Sequence, residues 1–181
     1  MTYSEQLAQQ VKQTRQTLVN SLANLSPEMA ARHPREDCWS VLDCVEHLYL
    51  VEKPIVRLLT KPNSQTVSGE DQVFGHERMH KALLNRERKI TAPDAFVPKG
   101  QFATLEEAET AVNELRDKLA SALDNNQITF DGQTFPHPVL GMFTRLDWVN
   151  FVITHAQRHQ AQIEEIKEII GAPASITSAA D

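Results

Sequence analysis

An all-α helical bundle is the fold this sequence predicts, on three observations. Four segments carry apolar residues at three-and-four spacing, helix-start signatures precede several of them, and strand-like alternation is almost absent. Leu7, Val11, Leu18, Leu22 and Leu25 make residues 3 to 24 an amphipathic helix, ended at Ser26-Pro27. Ser40 and Asp43 form a capping box that opens a second helix through Cys44, Leu48, Val51, Ile55 and Leu58, stopped at Pro62-Asn63. Pro54 removes one backbone donor inside it, so a bend near Leu50 is expected rather than a break. Residues 61 to 103 carry prolines and glycines and read as a long connection with one short helix at 77 to 88. Thr104 and Glu107 cap a third helix along Leu105, Ala108, Val112, Leu115, Leu119 and Ala122, ended at Asn125-Asn126. Ile128 to Phe135 alternates around Asp131-Gly132 and predicts a small hairpin. A fourth helix is expected from Met142 to Ile170, apolar nearly all round in its first half and therefore buried there, with Gly171 and Pro173 ending it.

The long connection leaves room for a crossover, so the second and third helices are free to run parallel instead of forming a hairpin. Residues 1 to 173 read as a single domain, and 174 to 181 as a disordered tail. With 181 residues, 41% of them hydrophobic, one core can bury its share of surface without disulfides or a structural metal. Cys38 and Cys44 lack finger spacing and read as small buried residues, which fits a reducing, cytoplasmic setting. A net charge of −6 with no basic cluster argues against a nucleic-acid partner, and no apolar stretch reaches membrane-spanning length.

The chemistry concentrates in histidines. His155 and His159 stand i,i+4 on one helix face, within the stripe Trp148, Val152, His155, His159, Gln162, Ile166 and Ile169. Two imidazoles among core residues need partners, and a shared metal ion is the simplest. His47 lies on the inward stripe Cys44, His47, Val51, Ile55 and Leu58. At 1.5 Å per residue it sits about 11 Å from the start of its helix, and His159 about 17 Å from the end of the last, so an antiparallel pair brings them level. Three imidazoles leave coordination positions open for water or substrate, as in a catalytic site; zinc fits best, with nickel, iron(II) or manganese as alternatives. Gln162 is placed to orient an imidazole or a bound water.

The other candidates read more blandly. His76 and His80 sit among charged neighbours and predict a solvated short helix, while His33 lies in a loop. His137, between two prolines, is a candidate proton shuttle, and Arg158 or His137 a candidate for positioning an anionic group. Asp43 is explained by its capping role, and Trp39 and Trp148 by core packing.

Cys38-Trp39-Ser40 through Glu46-His47-Leu48 resembles the opening signature of the DinB-like (DinB/YfiT) superfamily. His137-Pro138-Val139-Leu140-Gly141, followed by Trp148, His155, Arg158, His159 and Gln162, is similar to its closing segment, and Ala92-Pro93 through Phe102 resembles one branch of it. The resemblance implies an up-down-down-up four-helix bundle, often a homodimer, with a divalent metal held by His47, His155 and His159. Members include metal-dependent thiol transferases using low-molecular-weight thiols, a maleylpyruvate isomerase and proposed hydrolases. The expected function is therefore a metal-dependent thiol transferase or hydrolase acting on an electrophilic small molecule. The rival is a non-catalytic, stress-induced metal-binding bundle whose ion has no open position.

Overall fold

The computed structural model describes residues 1–61, 76–87 and 90–172, and the expected tail at 174–181 lies outside them. Four long helices form the bundle: α1 (Tyr3–Leu22), α3 (Val41–Thr60), α5 (Leu105–Asp124) and α6 (Arg145–Ile170). Two short ones, α2 (Pro27–Ala31) and α4 (His76–Leu84), lie between them, with a single 3-10 turn at Asp94–Phe96. Side-chain oxygens of Thr2, Ser40, Thr104 and Thr144 accept the N3 backbone N–H at the starts of the four long helices. The reciprocal carboxylate completes a capping box at Glu5, Asp43 and Asp147. α3 runs unbroken through Pro54.

Packing contacts set the helix directions. Ser4 donates to the Leu123 carbonyl and Arg15 pairs with Asp117, so α1 and α5 are antiparallel. Lys167 donates to the carbonyl of Ser21 at the far end of α1, and His47 meets His155 and His159. Val41 and Val45 pack in one cluster with Ala108 and Val112, and Ile55 and Leu59 in another with Leu119 and Leu123, which makes α3 and α5 parallel. The order is up-down-down-up, with α1 touching α5 and α6, and α3 touching α5 and α6. Because α3 and α5 are parallel neighbours, the chain between them has to return along the bundle.

The core is two apolar clusters, one around Leu7, Val11, Leu119 and Val149, the other around Leu18, Val45, Val112 and Ile163. By sequence position along the helices, a polar layer falls between them. There the fully buried Arg116 forks onto Glu52 at 3.0 and 2.7 Å and donates to the Thr14 carbonyl at 3.1 Å. The histidines lie at this same level of α6.

Three expectations are corrected. The hairpin is not at Ile128–Phe135: β1 (Thr134–His137) pairs antiparallel with β2 (Gly141–Thr144), with Pro138 to Leu140 as the turn. Arg145 reaches back to the Thr129 carbonyl and the side chains of Asp131 and Gln133, wrapping 129–133 around itself, so Asp131-Gly132 turns the chain without pairing it. Residues Met142 to Thr144 belong to β2, and α6 starts at Arg145 behind its Thr144 cap. Ser26-Pro27 does more than end α1, since Ser26 caps the short α2.

Candidate metal centre

His47, on the second turn of α3, and His155 and His159, mid-way along α6, are each buried. One ligand atom from each falls within 4.8 Å of the others. The Nε2 of His155 lies 3.3 Å from that of His47 and 3.1 Å from that of His159. Their partners on the other side fix two of the tautomers. His47 donates Nδ1–H to the Phe96 carbonyl at 2.7 Å, and His159 donates Nδ1–H to Oε1 of Gln162 at 2.9 Å. Both therefore turn an Nε2 lone pair toward His155.

Protons alone leave this arrangement unsatisfied. A proton on Nε2 of His155 satisfies one of the two facing lone pairs and not both, and Nδ1 of His155 is buried with no hydrogen-bond partner. Burial holds His47 below the ordinary imidazole range, and burial, with neighbouring rings and Arg158 adding to it, holds His155 and His159 well below that range. Neutral imidazoles converging through one nitrogen each form a donor set that fits a divalent ion. An ion held by three protein donors would keep positions for water or substrate, and all three histidines line an adjoining cavity.

That cavity, about 900 Å³, is walled by α3 and α6, by α4 and by the hairpin. Val51, Ile55 and Leu58 of α3 face it on one side, and Trp148 and Phe151 of α6 on the other. Phe151 stacks on His155 at 5.1 Å between ring centres, and Trp39 lies 4.8 Å from His47. Trp39 is half-buried, packs against the core cluster as its sequence context suggests, and also walls the site. Trp148 is buried as expected, yet it also lines the cavity and its Nε1 is unpartnered. Cys38, also expected to be buried, is half-exposed on the lining, whereas Cys44 is buried and its thiol is pushed far up by desolvation.

The remaining candidates find other employment. Arg158 lines the cavity, and its Nη1 donates to the carbonyls of Leu83 at 2.6 Å and Asn85 at 3.0 Å, clamping the end of α4. Arg86 forks onto Glu165. Asp43 is held in the Ser40 capping box, away from the triad, and His80 is exposed. His137 accepts the N–H groups of Val139 and Leu140 at Nδ1, both at 3.1 Å, which leaves Nε2 carrying the proton. Burial lowers its pKa to about 4, so near neutrality it is an uncharged donor. Two residues carry no signal in the sequence: Phe96, which acts through a backbone carbonyl, and Glu46, whose carboxylate accepts the backbone N–H groups of Lys99 and Gln101.

A DinB superfamily model matches residues 10–163. The chain belongs to the DinB superfamily. It is 25% identical over 151 residues to the uncharacterized protein YuaE of Bacillus subtilis (strain 168), a match spanning 83% of this chain and 91% of that protein. YfiT from Bacillus subtilis, described as a probable metal-dependent hydrolase with an unusual four-helix bundle topology, superposes with a TM-score of 0.62 at 16% identity, over 96% of this chain and 91% of YfiT. The four-helix bundle protein TT2238 does so with a TM-score of 0.58 at 19% identity, over 90% and 98% of the two chains. These structural likenesses establish the bundle. Among the described residues no helix is long and apolar enough to cross a membrane.

Proposed function

We propose that this DinB-superfamily protein is a divalent-metal-dependent hydrolase or thiol S-transferase acting on a small, largely apolar electrophile. The observation that carries the reading is the convergence of three neutral imidazole nitrogens, from His47, His155 and His159, at the wall of a cavity of about 900 Å³. The description of YfiT as a probable metal-dependent hydrolase favours the same class. Zinc suits three imidazoles best, with nickel, iron(II) and manganese as alternatives. An ion held there supplies Lewis acidity, acidifying a water or thiol beside it and polarising the electrophile.

The chain's own residues do the rest. Gln162 and the Phe96 carbonyl hold two rings in the donating tautomer, while Phe151 and Trp39 pack against the rings and narrow the access of water. Val51, Ile55, Leu58, Trp148 and Phe151 give the cavity apolar walls that suit an apolar substrate body. His137, one ring beyond His155 across Phe151, presents an Nε2–H donor suited to a substrate acceptor. A closed, non-catalytic shell would need a fourth protein ligand, and Asp43 is committed to its cap.

Metal content of the untagged chain purified without chelator tests the reading. About one equivalent is expected in the wild type, lost in both His47→Ala and His155→Ala. No bound ion even after reconstitution with zinc, nickel and manganese overturns it. With metal established, consumption of a thiol alongside a generic electrophile marks a transferase, and loss of the electrophile without thiol marks a hydrolase.

A further inference from the structure

His159 is oriented from within its own helix by Gln162, but His47 is oriented by a carbonyl far away in sequence, that of Phe96, the last residue of the 3-10 turn. What holds that segment in place is the residue beside His47. Glu46 is 1% exposed, and its two carboxylate oxygens accept separate backbone N–H groups: Lys99 at 2.6 Å and Gln101 at 3.0 Å. Gly100 between them has φ +74°, the left-handed conformation that lets alternate N–H groups turn toward one anion. Three residues before Lys99 stands Phe96, whose carbonyl receives the His47 proton. Two consecutive residues of α3 thus grip one loop, Glu46 from its 99–101 arch and His47 from Phe96. Beyond these bonds, Phe102 against Tyr49, ring centres 5.0 Å apart, ties the same stretch to α3.

We propose that Glu46 is a positioning residue for the metal centre: by anchoring the 99–101 arch it sets the Phe96 carbonyl, and through it the tautomer and direction of the His47 ring. The inference rests on the reading of His47 as a ligand. Glu46→Gln breaks it selectively, because one amide oxygen remains to accept while the NH₂ group faces a backbone N–H. A purely structural role for Glu46 predicts lower stability with an unchanged ring.

Two measurements on the full chain decide the matter. In the metal-free protein, ¹⁵N NMR of the imidazoles is expected to show His47 as a single Nδ1–H tautomer in the wild type and as a mixture in E46Q. Zinc affinity, from competition with a chromophoric chelator, is expected to fall about tenfold in E46Q, within the range for lost orienting bonds to a ligand. Thr2→Ala, which removes the cap of α1, serves as the control that lowers melting temperature and leaves zinc affinity alone. Should E46Q not fold, Gly100→Val takes its place. A Cβ there meets nothing within 4 Å, so its effect is confined to the strained backbone of the arch. A single unaltered His47 tautomer in the variant, or wild-type zinc affinity beside it, overturns the proposal. If the wild type itself binds no zinc, the metal reading fails, and the tautomer comparison still decides what Glu46 does.

Discussion

Gln162 fixes which nitrogen of His159 carries the proton. Gln162→Leu is expected to retain one equivalent of metal at saturation while weakening affinity by about 10–100-fold, measured by chelator competition. The same burial that keeps the imidazoles neutral makes stability depend on pH. In the unfolded chain these residues take up protons below the ordinary imidazole value of 6.5, whereas the folded state holds His137 down to about 4 and His155 and His159 well below 6.5. The unfolded state therefore binds more protons in acid, and stability present above 6.5 is lost as pH falls, for His137 across the window down to about 4. Melting temperatures of the metal-free protein from pH 8 to pH 4 check this. A decline beginning near 6.5, shallower in His155→Phe, is the expected result.

The elements most affected by tertiary context are the short ones. α4 lines the cavity with its last carbonyls answered by Arg158, which serves as a C-terminal cap from a neighbouring helix. Arg158→Met is expected to cost about 2 kcal/mol, the scale of a charged hydrogen bond with its acceptors left unpaired, and to speed amide exchange in 76–84. Exchange unchanged in that stretch would show that the clamp does not hold the helix. The hairpin shows the same dependence. Its turn is closed by the His137 ring accepting from Val139 and Leu140, a side-chain bond that β-turn statistics for Asp131-Gly132 do not contain.

Across the whole molecule, the Glu52–Arg116 pair ties α3 to α5 and, through the Thr14 carbonyl, to α1. Both side chains are almost entirely buried. Glu52→Ala is expected to destabilise by about 3–5 kcal/mol because it strands the guanidinium, while replacing both partners with Leu and Met is expected to be close to neutral. Urea denaturation of the single and double variants separates the two. A double variant as unstable as the single would mean that the polar layer contributes to stability beyond its own pairing.

Periodicity alone located the four long helices, because a 3.6-residue repeat of apolar side chains has one way to be buried. The capping boxes at Ser40 and the i,i+4 spacing of His155 and His159 are local chemistry, so they were legible too. The inward stripe carrying His47 placed the third imidazole at the right depth, and the match of its level to His159 follows from helix rise. Only the tertiary structure decided which atoms orient those rings: Phe96 enters through its carbonyl, Glu46 through backbone N–H groups 53 and 55 residues away, and neither bond has a sequence period. It likewise set Trp39 and Cys38 on the lining of the cavity and drew Arg158 into a cap. Backbone groups are the same in every residue, so bonds to them are set by where the chain passes, and that is known only once the helices have packed.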